Sequence, residues 1–223
     1  MVTVLKAPFT SIISGPSGAG KTWLMLNFIR NIKQMMTPIP KHIVWCYGIY
    51  QPKLFDQYSN VVKFHEGLPS SDDIIPPHSL LVIDDLMAEA GHSVMNIFTK
   101  DSHHRDISTF FLTQNLYYAS KTNRNMSLNT HYMFLFKNPR DQTQIQVLSR
   151  QMYPHAPKYL EEAFRDATDS SRESSGGHRS YLFVDLKQDT PDYARLRTGI
   201  FPQDYPNHFI YIPNDQASRA VTV

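Results

Sequence analysis

The octapeptide Gly15-Pro16-Ser17-Gly18-Ala19-Gly20-Lys21-Thr22 limits what this chain can fold into more than any other stretch. It follows a short apolar run, Phe9 to Ser14, and opens a segment with helical spacing, Gly20 to Met36. A glycine-rich turn between a strand and a helix points backbone N–H groups at one anion, and the helix start adds its partial positive charge. Lys21 would set a point charge against the outer phosphates of a nucleotide, and Thr22 would offer a hydroxyl to Mg²⁺. The spacing G-x-x-x-x-G-K-T in this context predicts a phosphate-binding loop made by all eight residues, with ATP and Mg²⁺ as its ligands. In the helix that follows, Trp23, Leu24, Leu26, Phe28, Ile29 and Ile32 form the expected apolar face, and Pro38 and Pro40 are expected to end it.

Further strands are expected at His42 to Tyr47, Val61 to Phe64, Leu80 to Ile83, Ile107 to Thr113 and His131 to Phe136, with helices at Ser93 to Lys100 and Asp141 to Gln151. Strands alternating with helical segments predict an α/β fold, a mostly parallel sheet with helices on both faces. Residues 1 to 160 would form this core. The remainder, 161 to 223, reads as a C-terminal extension packed on the same domain. It holds a polar Gly/Ser-rich loop at about 166 to 180, two strands (Tyr181 to Leu186 and Tyr193 to Phe201) and a frayed tail from Pro213.

Two positions complete the expected chemistry. The apolar run Leu80 to Ile83 ends in Asp84-Asp85, and carboxylates at the end of a buried parallel strand face the crevice where ligands bind. Asp84 would hold Mg²⁺; Asp85 would orient and deprotonate the attacking water. Gln114 closes the strand from Ile107, where an amide can donate to a γ-phosphate oxygen and accept from water.

Composition narrows the class without choosing a partner. Apolar residues are 41% and charged residues 19%, which is globular rather than disordered. Cys46 has no second cysteine to pair with, which fits a reducing compartment. No signal-peptide pattern opens the chain and no apolar run reaches the roughly 18 residues of a membrane span, so an intracellular, soluble protein with no membrane partner is expected. Charge is uneven: from 95 to 158 eight Lys/Arg face three acids, and from 51 to 94 two Lys face seven. The basic half could meet DNA phosphates, a solvated surface or a second subunit. Tyr117-Tyr118 beside Lys121 and Arg124 could line a DNA channel or pack in the core.

The order phosphate loop, Asp-Asp strand, Gln-ended strand resembles the additional-strand division of P-loop NTPases, which implies that the Gln114 strand lies between the other two. A longer series is more specific: Phe98 to Ser108 with His103-His104-Arg105, then Phe111-Leu112-Thr113-Gln114-Asn115, Arg124, Ser127-Leu128-Asn129, Phe136-Lys137-Asn138-Pro139-Arg140-Asp141, and Gln151-Met152-Tyr153-Pro154. Together these resemble the genome-packaging ATPases of Polinton-like elements, adintoviruses and related DNA viruses. Those belong to the FtsK/HerA superfamily and are similar to the poxvirus packaging ATPase. The resemblance covers about residues 8 to 201. It implies ATP hydrolysis driving double-stranded DNA into a viral or transposon-encoded capsid, by a homo-oligomeric ring that contacts capsid proteins. Many members carry Glu where this chain has Asp85.

The resemblance also implies an arginine given to the γ-phosphate by a ring neighbour. Arg105 is the first choice because it precedes the Gln114 strand; Arg124 and Arg140 are the others. His103-His104 lacks the neighbours of a metal site. Two other readings stay open. A nucleoside or nucleotide kinase would need an arginine-rich lid, for which Arg165, Arg172 and Arg179 are available. A non-hydrolysing ATP-binding assembly factor would keep the loop without turnover.

Overall fold

The computed structural model describes residues 3–68, 75–86, 105–117, 127–169, 181–204 and 208–213. The elements that place the site are β1 (Leu5–Lys6), β2 (Thr10–Ser14), α1 (Lys21–Arg30), α2 (Ile32–Met35), β3 (Met36–Thr37), β4 (His42–Tyr47), α3 (Pro52–Phe55), β5 (Lys63–Glu66), β6 (Ser79–Asp84), β7 (Ser108–Thr113), β8 (Tyr132–Phe136), α4 (Thr143–Met152), α5 (Pro157–Ala167), β9 (Tyr181–Asp185), β10 (Leu196–Thr198) and β11 (Phe209–Tyr211).

Among the described residues, nine strands form one sheet in the order β11-β10-β9-β8-β2-β7-β6-β4-β5. The six from β8 to β5 run parallel; β9, β10 and β11 extend the sheet antiparallel. This is an α/β fold with the additional-strand order, since β7 lies between β2 and β6. Every residue of β2, β7 and β8 is buried, as expected of parallel strands covered on both faces. One face packs against α1 through Phe9, Phe28, Phe110, Phe134 and Phe183, with Phe110 edge-on to Phe9 at 5.3 Å and tilted steeply to Phe28 at 5.0 Å. The opposite face packs Ile12, Ile83, Phe111 and Leu135 against Leu148 of α4 and Leu160 of α5.

Several boundaries differ from expectation. The helix expected from Gly20 to Met36 is interrupted at Asn31, whose side-chain amide donates to the Asn27 carbonyl at 2.9 Å. A side chain that bonds the backbone in this way competes with the helical ladder. The helix ends before Pro38 because Met36 and Thr37 pair in parallel with Leu5 and Lys6. Trp23 leaves the apolar face: it is 38% exposed, whereas Met25 takes a buried place. The short strand expected at Val61 to Phe64 lies at Lys63–Glu66, and Val61 is exposed.

The C-terminal part differs more. Asp166 and Ala167, expected in a loop, end α5, and Thr168 caps it with its hydroxyl on the Phe164 carbonyl at 2.7 Å. The expected strand from Tyr193 to Phe201 is only Leu196–Thr198, preceded by a short 3-10 turn, and β11 is a third strand that the pattern did not suggest. The expected helix from Ser93 to Lys100 lies outside the described residues. Among the described residues, no helix is long and apolar enough to cross a membrane.

Candidate nucleotide site

Pairing brings the ends of three adjacent strands together. Ser14 of β2 is level with Thr113 of β7, and Leu112 of β7 with Asp84 of β6. The residues that follow, Gly15, Gln114 and Asp85, therefore emerge side by side at the carboxyl edge of the sheet, where open parallel sheets bind ligands. The Gly15 N–H donates to the Thr113 carbonyl at 3.1 Å, tying the start of the loop to the Gln114 strand.

Backbone freedom is used at defined points of the loop. Gly18 and Gly20 have φ of 75° and 105°, left-handed values that a side chain disfavours. Gly15 is needed for space: a Cβ there would lie 2.6 Å from Cβ of Phe136 on β8. Helix α1 begins at Lys21 without a side-chain cap, and its first-turn N–H groups have no partner within the helix. They are the donors that an anion would meet.

Lys21 extends back over the loop. Its Nζ donates to the Gly15 carbonyl at 2.6 Å and the Pro16 carbonyl at 3.1 Å. Burial pushes its pKa down, while the charges of Asp84 and Asp85 act in the opposite direction. Asp84 shows the complementary strain. Burial first, and then the neighbouring Asp85, push its pKa up to about 6, against the pull of Lys21 and of the Trp45 indole. Trp45 is fully buried beside it, close enough to favour the carboxylate, yet its Nε1 makes no hydrogen bond of normal geometry among the described residues.

That arrangement suits a hard divalent cation. A half-buried carboxylate beside a second carboxylate gains by neutralisation, and Mg²⁺ takes one or two carboxylates together with hydroxyl, water and phosphate oxygens. Asp84 and Thr22 are the residues that would hold it. Among the described residues, no cluster of three or more His, Cys, Asp or Glu offers an all-protein cage.

Asp85 turns the chain away from β6 in a left-handed conformation, φ 54°, which Asp tolerates better than most residues. Its exposed carboxylate accepts from Gln114 Nε2 at 3.4 Å. The structure thus gathers Lys21, Thr22, Asp84, Asp85 and Gln114 at one edge. Arg105 is not in that group. It precedes β7 at the opposite end of the strands, roughly 20 Å away at 3.3 Å per residue, with its guanidinium on the Ile75 carbonyl at 2.5 Å. Arg140 is exposed in the turn after β8, on the carboxyl edge. His103, His104, Arg124, Arg172, Arg179 and Tyr118 lie outside the described residues. Tyr117 packs against the α4 face of the sheet and donates to Gln151 at 3.0 Å.

Sequence reasoning missed a polar cluster beside this edge. Gln144 of α4 bonds Asp141 and reaches the turn at Asn115 and Leu116. No chemical motif marks it; the only available signal was Asp141 at the start of a helical pattern, three residues before Gln144.

No protein-family model matches this chain, and none of the curated proteins matches it. Among solved structures it is similar to the genome packaging NTPase of Sulfolobus turreted icosahedral virus 2 in complex with ATP-gammaS. The TM-score is 0.44 and the identity 13%, over 82% of this chain and 94% of that one.

Proposed function

We propose that this chain hydrolyses ATP at the β2, β7 and β6 edge. The observation that carries the reading is the convergence of the phosphate loop, Asp84-Asp85 and Gln114 at three adjacent strand ends. Each residue has a role that its position supports. The α1 first turn and the loop N–H groups cradle the phosphates. Lys21 exchanges its loop carbonyls for the β- and γ-phosphate oxygens. Thr22 and Asp84 would hold Mg²⁺, which would supply neutralisation of phosphate charge. Asp85, one methylene shorter than Glu, accepts the proton of the attacking water, and Gln114 orients that water against the γ-phosphate. Such chemistry needs positioning and charge stabilisation more than covalent help.

The motif series of Phe98 to Ser108, Phe111 to Asn115, Phe136 to Asp141 and Gln151 to Pro154 extends the reading to a motor that packages double-stranded DNA, working as a ring of identical chains. Lys137, Arg140, Arg150 and Lys158 are exposed on the turn after β8 and on α4 and α5, a surface suited to DNA phosphates. A neighbour's arginine would complete the site. Arg105 would have to leave the Ile75 carbonyl to do so; Arg140 would not. Mixing Lys21→Ala chains with Arg105→Ala or Arg140→Ala chains separates them, because only the true donor pair restores turnover.

The deciding experiment is product analysis with MgATP and a mixture of nucleosides and nucleoside monophosphates as acceptors, with and without double-stranded DNA. Free phosphate, released faster with DNA, is expected. DNA affinity should fall steeply between low and physiological salt as counterions are released. A phosphorylated nucleoside as product would establish the kinase reading instead, and bound ATP that is never cleaved would establish the assembly-factor reading.

A further inference from the structure

Gln114 is exposed, and among the described residues its side chain makes a single long hydrogen bond, 3.4 Å to Asp85. Its position therefore depends on the turn that carries it. That turn is clamped on both sides. Before it, Thr113 is locked into β7; its hydroxyl donates to the Asn115 carbonyl at 3.0 Å and accepts from the Asn115 N–H at 3.3 Å. After it, the buried Leu116 donates its N–H to Gln144 Oε1 at 2.6 Å, and Gln144 Nε2 reaches Asn115 Oδ1 at 3.4 Å.

Gln144 is itself held. Its Nε2 donates to Asp141 Oδ2 at 2.7 Å. The other oxygen of Asp141 accepts the N–H of Thr143 at 3.1 Å and also the Thr143 hydroxyl, which fixes the start of α4. These bonds, that of Thr143 above all and then that of Gln144, hold the Asp141 carboxyl below the usual range. Helix α4 is anchored in turn to α5, where Ser149 donates to Glu161 at 3.0 Å and Leu148 packs near Leu160. Gly15, Gln114, Asp141 and Gln144 line the same narrow cleft.

We propose that Gln144 is a positioning residue for hydrolysis: it clamps the Gln114 turn to the first turn of α4 and so fixes the Gln114 amide against Asp85. The inference rests on the ATPase reading above. Among the described residues Gln144 makes no hydrogen bond to Lys21, Thr22 or Asp84, so its loss falls on the hydrolytic step more than on nucleotide binding. A displacement near 1 Å at a reacting centre can cost about 10²-fold in rate.

Three variants test this. Gln144→Leu keeps the volume but leaves the Leu116 N–H without an acceptor; kcat should fall about 10- to 100-fold, with KM for ATP within about twofold of the unsubstituted chain. Gln144→Glu should also be slow at neutral pH, since it sets a carboxylate against Asp141. Adding Asp141→Asn to Gln144→Glu exchanges donor and acceptor. The new carboxylate still accepts from Leu116 and now takes the amide of position 141, whose oxygen remains for Thr143; it can no longer donate to Asn115 Oδ1, so the Asn115 amide must turn its Nδ2 toward it. This pair should recover most of the rate. Hydrogen exchange over residues 114 to 117 reads the clamp without turnover: faster in Gln144→Leu, restored in the double variant. Normal kcat in a folded Gln144→Leu, or a double variant no better than Gln144→Glu alone, overturns the inference. If the unsubstituted chain releases no phosphate, the ATPase reading falls and the role of Gln144 falls with it. Release by that chain, matched by Gln144→Leu, sinks the inference alone.

Discussion

Replacing Asp84 by Asn should stabilise the folded chain while removing its response to Mg²⁺. The pKa of Asp84 is pushed from 3.8 to about 6, mainly by burial. A carboxyl whose pKa is raised by folding binds more protons folded than unfolded between those two values, so stability falls as pH rises through that window. Below about pH 4 the group is protonated in both states and contributes nothing. Above about pH 6 the whole penalty is present. The shift of about two units, at 1.36 kcal/mol each, sets a ceiling of about 3 kcal/mol. For a chain of 223 residues, 1 kcal/mol moves Tm by about 2–4 °C. Asp84→Asn should therefore melt higher by several degrees at pH 8, and the gain should shrink toward zero at pH 4. With MgATP the order should reverse, because the natural carboxylate then has a cation to hold and the amide does not. Differential scanning calorimetry at pH 4, 6 and 8, with and without MgATP, measures all of this. An Asp84→Asn chain that melts lower at pH 8 without nucleotide would refute the assignment of Asp84 as a strained carboxylate.

Three further outcomes are expected. Gly15→Ala should lift the loop off β8, given the 2.6 Å approach to Phe136; about 1–3 kcal/mol of stability and at least tenfold in ATP affinity should be lost, as read by denaturant titration and equilibrium binding. Phe110→Ala should cost about 3–5 kcal/mol, because the ring is fully buried between Phe9, Phe28 and Phe134. Asp85→Asn should keep MgATP binding but slow hydrolysis by about 10²–10⁴-fold, since an amide cannot take the proton of water at neutral pH; unchanged single-turnover rates would remove Asp85 from the mechanism.

What could be read in advance depended on how local the determining physics is. The turn from β2 into α1 was legible because its glycines act within eight residues. Strands β4, β6, β7 and β8 were legible because buried parallel strands are near-continuous apolar runs. The break at Asn31 was not, because it follows from a side chain bonding Asn27 and from Met36 pairing with Leu5, a partner far away in sequence. Helix α5 was missed although Pro157 at its start and Leu160, Ala163, Phe164 and Ala167 at helical spacing were present. Strand β11 has three residues, with Phe209 and Ile210 exposed, and is defined only by its pairing to β10. Gln144 illustrates the same limit at the site, since its partners Leu116 and Asn115 are nearly thirty positions away.

The central claim is that Lys21 and its loop drive ATP cleavage. It is tested most directly by phosphate release from MgATP by the unsubstituted chain and by Lys21→Ala, with circular dichroism to show that both are folded. Steady release by the first and none detectable by the second is expected, because removing the ammonium takes away the charge proposed to face the β- and γ-phosphates. Equal release by a folded Lys21→Ala chain would contradict it.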